Sequence, residues 1–139
     1  PWTRNGVNEK DWIEEVSGKS WEDRAVGPDT YDCWGLVVDF YRRVKGFEIE
    51  NIAGYVNGET GINQGFKERG EGWQPSELGY VAVCFDGDNA NHVGVRIGSR
   101  VIHAFGGVKR DGQVFNHTLS QFNRIYRGNV KYFDYIERV

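Results

Sequence analysis

"TYDCWGLVVDFYRRV", Thr30 to Val44, decides how the chain is read. It holds one of only two cysteines, set between an acid and a Trp-Gly pair. Asp32 has the short acceptor side chain that caps a helix start. After it, Leu36, Val37, Phe40, Tyr41 and Val44 recur at helical spacing, which predicts a helix over residues 33–44 with one apolar face. Arg42, Arg43 and Lys45 fall where cations suit the end of a helix dipole, and Gly46 is placed to stop it. Cys33 is therefore expected in the first turn, where the positive end of the helix favours a thiolate, the nucleophilic form of cysteine. Backbone N–H groups at the same place can hold a developing oxyanion.

Such a nucleophile needs a base brought to it by the fold, most often a histidine. The chain has three: His92, His103 and His117. "HVGVRI" (residues 92–97) alternates apolar and polar positions and reads as a strand. Gly98-Ser99 reads as a tight turn and "RVIHAF" (residues 100–105) as the returning strand. With Gly98 and Ser99 as the two turn residues, Gly94 faces His103 and His92 faces Phe105. His92 and His103 then share a face as diagonal neighbours, offset by roughly 6.6 Å along the strand. A turn centred one residue earlier would bring them face to face, and one centred later would separate them. His117 has no partner that the sequence identifies. Cys84 lies inside an apolar strand pattern and reads as core.

The rest of the chain frames this constellation. Its 139 residues suffice for one domain with a real core, and 39% hydrophobic with 27% charged residues is an ordinary globular composition. A net charge of −3 without a basic patch argues against nucleic-acid binding. No apolar run reaches the ~18 residues of a membrane span. Two cysteines 51 positions apart form neither a disulfide framework nor a metal knuckle, and both are expected as free thiols. No export signal is visible, and the chain starts at Pro1 without any Met, as removal of an initiator Met or trimming would leave it.

A short helix is expected over residues 9–16, carrying Trp12, Ile13 and Val16, followed by a loop over 20–30 that contains Gly27-Pro28-Asp29. Residues 47–72 are polar and punctuated by glycine, with a weak helical signal over 63–69. Strands are expected at 79–85, 92–97 and 100–105, with 86–91 and 106–112 as loops. Further strands are expected in "QVFNHTL" and "VKYFDYIE", with a short helix or turn over 119–126 between them. The Asp86/Asp88 pair, with Asn89 and Asn91, lacks the correctly placed Gly and the distal Glu of a calcium loop and reads as a connection. Helices first and an antiparallel sheet after give an α+β fold over residues 1–139 as one domain.

"YDCWGLV" followed by "NHVGVRIGSRVIHAF" resembles the NlpC/P60 cysteine peptidases, over about residues 12–105. The variant with Trp after Cys, preceded by "GPD", is more similar to members carried by tailed phages and gene-transfer agents than to the bacterial secreted ones. The resemblance implies a papain-like α+β fold, with the Cys helix packed on an antiparallel sheet. By position it implies Cys33 as nucleophile, His92 as general base and His103 as the residue that orients that base. It implies cleavage of peptidoglycan stem peptides, commonly at the γ-D-glutamyl–diaminopimelate bond, through a thioester, with no metal or cofactor. Trp21, Tyr31, Asp32 and Trp34 are the expected substrate-binding residues. Three positions depart from the family pattern: Trp21 stands where a Tyr is common, Trp34 where a Ser is common, and "LGY" (residues 78–80) where "PGD" is usual.

Read this way, the chain is a wall hydrolase of a phage tail tip, made in a host cytoplasm and carried in the virion beside other tail-tip proteins. A second reading is a structural tail-tip or hub protein with a weak or vestigial site. A third, a thiol acyltransferase on lipids, would want an apolar patch or an anchor, and neither is evident.

Overall fold

The computed structural model describes residues 6–46, 48–49, 73–87, 89–107, 110–127 and 129–135. Helix α1 spans Glu9–Val16, as its apolar spacing predicts. The Asn8 side chain accepts from the Asp11 N–H at its start, and Trp12 and Val16 are buried. Two short strands follow, β1 (Ser20–Trp21) and β2 (Thr30–Tyr31), and then helix α2 (Cys33–Phe40).

All of Cys33 to Phe40 is buried, so α2 is enclosed on every side rather than amphipathic. Regular α-helix ends at Phe40, short of Val44. Tyr41–Lys45 continue as one wider π turn, which Gly46 closes at φ 84°, a left-handed conformation that glycine adopts without steric cost. Arg42 and Arg43 thereby both reach Asp39, which is only 1% exposed. The same carboxylate accepts from the Trp12 indole N–H at 3.0 Å and the Tyr31 hydroxyl at 2.9 Å. Asp39 thus ties α1, β2 and α2 together, which is how a buried carboxylate is tolerated.

The remaining elements are β3 (Trp73–Pro75), β4 (Val81–Asp86), β5 (Asn89–Ile97), β6 (Arg100–Gly107), β7 (Arg110–Thr118), α3 (Leu119–Ile125) and β8 (Val130–Tyr135). Among the described residues they form, with β1 and β2, one sheet in the order β2-β1-β7-β6-β5-β4-β8-β3. The fold is α+β. Its sheet is mixed rather than wholly antiparallel, because β1 and β2 pair in parallel. α2 packs on β5 and β6, and this contact fills the main core with Leu36, Val37, Phe40, Val93, Val95 and Ile102.

The β5–β6 turn falls at Gly98-Ser99, with Ile97 opposite Arg100 and Val95 opposite Ile102. Two expected loops are shorter than their composition suggests. β4 runs to Asp86 and β5 starts at Asn89, because a bulge after Cys84 lets Phe85 pair with Ala90 and Asp86 with Asn89. β6 and β7 likewise extend to Gly107 and Arg110, which pair directly. The expected helical signal over 63–69 lies outside the described residues. So does most of the polar stretch 47–72.

Candidate active site

Cys33 is the first residue of α2 and is 2% exposed. Its place is fixed by Asp32, whose Oδ1 accepts from the Gly35 N–H at 2.6 Å and whose Oδ2 accepts from the Arg24 N–H at 2.8 Å. The Asp32 N–H donates in turn to the Ala25 carbonyl at 2.9 Å. Gly35 is required where this loop crosses the helix, because a Cβ there would run into the Ala25 carbonyl. Burial pushes the Asp32 carboxyl up to about 6, although the N–H groups of Gly35, Arg24 and Trp34 oppose the shift.

β5 and β6 deliver the histidines. His92 sits opposite Cys84 of β4, beside the bulge, and is 7% exposed. His103 is 2% exposed and pairs with Phe115 of β7. Gly94 makes room for it, since a Cβ on Gly94 would lie 3.0 Å from that of His103. The two rings meet as the diagonal register predicts: His92 Nε2 and His103 Nδ1 are 3.0 Å apart. That bond leaves Nδ1 of His92 as the nitrogen available for proton transfer.

Cys33 enters the same neighbourhood from α2. Charge on Cys33 raises the thiol of Cys84, directly across from His92. It also raises the hydroxyl of Tyr126, which is stacked on His92. For both groups burial is the larger cause. Cys33 is therefore in electrostatic reach of two groups that flank the imidazole.

Burial pushes His92 down to about 4. It pushes His103 down to about 2, helped by His92 and His117. At neutral pH both are uncharged, the state in which a histidine can take up a proton.

The four expected substrate-binding residues occupy different surroundings. Tyr31 is fully buried, and Trp34 is 3% exposed within the main core. Asp32 is 1% exposed with both carboxylate oxygens bonded to backbone. Trp21 is half-buried and lies over a glycine ledge: a Cβ on Gly106 or on Gly112 would come within 2.8 Å of it.

Three residues that the sequence left without a role surround the histidines. His117 Nδ1 is 2.9 Å from His103 Nε2. Tyr126 and Phe122, from the end of α3, pack on both His92 and His103. The signal for His117 was present in the alternation of β7, where Phe115 and His117 share a face. Using it requires the β6–β7 register, which the glycine-rich composition of 106–112 conceals.

The structure thus places a helix-borne cysteine on an antiparallel hairpin that carries two hydrogen-bonded histidines, within an α+β scaffold. The NlpC/P60 family model matches residues 17–133, so the chain belongs to the NlpC/P60 family. The match runs beyond the motifs, through β7 and α3 into β8, and begins after α1. Members are typically cysteine peptidases, and the family supports cell-wall peptidase or amidase activity in general. No curated protein and no solved structure matches the chain. Among the described residues no helix is long and apolar enough to cross a membrane.

Proposed function

We propose that the protein is a cysteine peptidase or amidase that cuts peptidoglycan stem peptides at the γ-D-glutamyl–diaminopimelate bond, as part of a phage tail tip. The observation that carries the enzymatic reading is the His92–His103 hydrogen bond on strands against which the Cys33 helix packs. The bond cleaved and the phage setting rest on the motif resemblance described above.

In the reaction, His92 Nδ1 takes the Cys33 thiol proton and the thiolate attacks the amide carbonyl. The Cys33 backbone N–H is one donor to the resulting oxyanion. Collapse breaks the C–N bond as His92 Nδ1–H protonates the leaving amine, and a thioester remains on Cys33. His92 then takes a proton from water, hydroxide adds to the thioester, and the acid is released with the thiol regenerated. Through both halves His103 Nδ1 accepts the His92 Nε2–H and supports the imidazolium, as the orienting group of a triad does. Trp21, Tyr31, Asp32 and Trp34 are the proposed substrate-binding residues, with half-buried Trp21 the one best placed for direct contact.

One observation favours the structural alternative. Cys33 is 2% exposed, and Tyr31, Asp32 and Trp34 are buried with it. Digestion of purified peptidoglycan by wild type and by Cys33→Ala, read by mass spectrometry, decides between the two. Fragments released by wild type and absent with the variant establish the enzyme and name the bond. No release from any of several wall types favours the structural protein.

A further inference from the structure

We infer that His117 is a positioning residue: its Nδ1 accepts the Nε2–H of His103 and thereby holds His103 in the tautomer whose Nδ1 can receive the His92 proton. The inference rests on the proposed hydrolase reading and extends it one residue beyond the Cys33, His92 and His103 set.

Hydrogen-bond polarity couples the three rings. The contacts His92 Nε2 to His103 Nδ1, at 3.0 Å, and His103 Nε2 to His117 Nδ1, at 2.9 Å, form a chain in which each link has one donor and one acceptor. A neutral imidazole carries one proton, so assigning one link assigns the next. In one direction His92 donates to His103 and His103 donates to His117, which leaves Nδ1 of His92 bare and able to act as a base. In the other, His117 donates inward, His103 donates to His92, and Nδ1 of His92 carries the proton and cannot take another. The imidazolium of His92 has protons on both nitrogens and fits the first direction alone. An acceptor at His117 Nδ1 is therefore what lets His103 serve His92 throughout the reaction.

The surroundings keep His117 an acceptor. Its ring stacks on Phe115, with centroids 5.3 Å apart and 7° between planes, which fixes its orientation. The charged and titratable groups that act on it, Arg100 and His103, both come from β6. Arg100 is itself held, donating from Nε to Asn116 Oδ1 at 2.7 Å and from Nη2 to the Asn116 carbonyl at 3.0 Å. Its positive charge and the partial burial of His117 both oppose protonation, which would turn Nδ1 into a donor and break the link.

The test compares wild type, His117→Phe and His117→Asn. Phenylalanine fills the space without an acceptor, whereas asparagine places an oxygen near the position of Nδ1. Kinetics on a soluble stem peptide are read with 15N–1H imidazole spectra, which report the protonated nitrogen of each histidine. In wild type, His103 is expected as the Nε2–H tautomer. His117→Phe should lower kcat on the order of tenfold with KM unchanged, the scale of one lost buried hydrogen bond. His117→Asn should restore most of that loss. Wild-type kcat in the Phe variant, an Asn variant as slow as the Phe variant, or a wild-type His103 protonated at Nδ1 would each overturn the inference. If wild type releases no peptide at all, the hydrolase reading fails, and the spectra still show independently whether the relay has this polarity.

Discussion

Tyr126 lies flat on His92, its ring centroid 5.0 Å away and its plane 18° from that of the imidazole. Phe122 meets His103 edge-on at 4.8 Å. Together the two residues of the α3 segment cover the hydrogen bond on which the proposed base depends. The Thr118–Gln121 capping box fixes where that segment begins. Stacking fixes the imidazole plane, and an aromatic pair of this kind contributes roughly 0.5–1.5 kcal/mol beyond its buried area. Tyr126→Ala is expected to lower kcat by about three- to tenfold. Tyr126→Phe keeps the ring and should stay within about twofold. Steady-state kinetics on a stem peptide check both, and equal losses in the two variants would assign the role to the hydroxyl instead.

Asp39 should be the most sensitive polar position in the fold. It is 1% exposed and bonded to Trp12, Tyr31, Arg42 and Arg43. Asp39→Ala leaves a buried indole N–H and a buried phenol without their acceptor, while Arg42 keeps the Val26 carbonyl and Arg43 keeps Glu15. The expected loss is about 2–6 kcal/mol, for two buried donors left unsatisfied at about 1–3 kcal/mol each. Urea unfolding followed by tryptophan fluorescence measures it, and a loss below about 1 kcal/mol would show that water replaces the carboxylate freely.

Stability should rise as pH is raised from about 4 to 6.5. His92 has its folded value lowered to about 4 from 6.5, so the unfolded chain binds more protons in that window. Its contribution is complete above 6.5 and lost as pH falls through about 4. His103 and His117 are lowered as well and act in the same direction. Asp32 opposes them: its folded value is raised from 3.8 to about 6, so it stabilises the fold at acid pH and ceases to as pH rises through that range. Thermal unfolding across pH 4–7 should therefore give a steeper rise for Asp32→Asn and a shallower one for His103→Asn. A wild-type Tm that falls over this interval would contradict the assignment.

Trp21 lies half-buried on the ledge of Gly106 and Gly112, and Gly106 follows Phe105 in the chain, whose ring centroid is 6.0 Å from that of His92. A residue that only binds substrate changes KM and leaves kcat alone. Trp21→Ala should raise KM roughly tenfold or more at similar kcat, given the area an indole buries. A loss confined to kcat would place Trp21 among the residues that orient the histidines.

Much of this site was legible because it is built from local rules. Asp32 before an apolar run marks a helix start, and the Gly98-Ser99 turn sets a register that forces His92 and His103 onto one face. With the turn at Gly98-Ser99 the two are diagonal neighbours, and the structure supplies both that turn and the bond between the rings. Non-local features escaped. After Phe40 α2 passes into a π turn, from which Arg42 and Arg43 reach back to a buried Asp39, a partnership that no apolar period encodes. The bulge after Cys84 pulls Asn89 and Ala90 into a strand although Asp86-Gly87-Asp88 has the composition of a loop. His117 and Tyr126 reach the site through the β6–β7 register and the packing of α3. Neither can be read until those elements are placed against one another.

The proposed mechanism requires a covalent intermediate at Cys33, and its most direct measurement is mass spectrometry of an acid-quenched reaction with a peptidoglycan stem peptide, mapped to both cysteines. The expected result is an acyl adduct on the Cys33 peptide and none on Cys84, whose thiol burial pushes well above the usual range. Fragment release with no adduct at Cys33, continuing in Cys33→Ala, would contradict it.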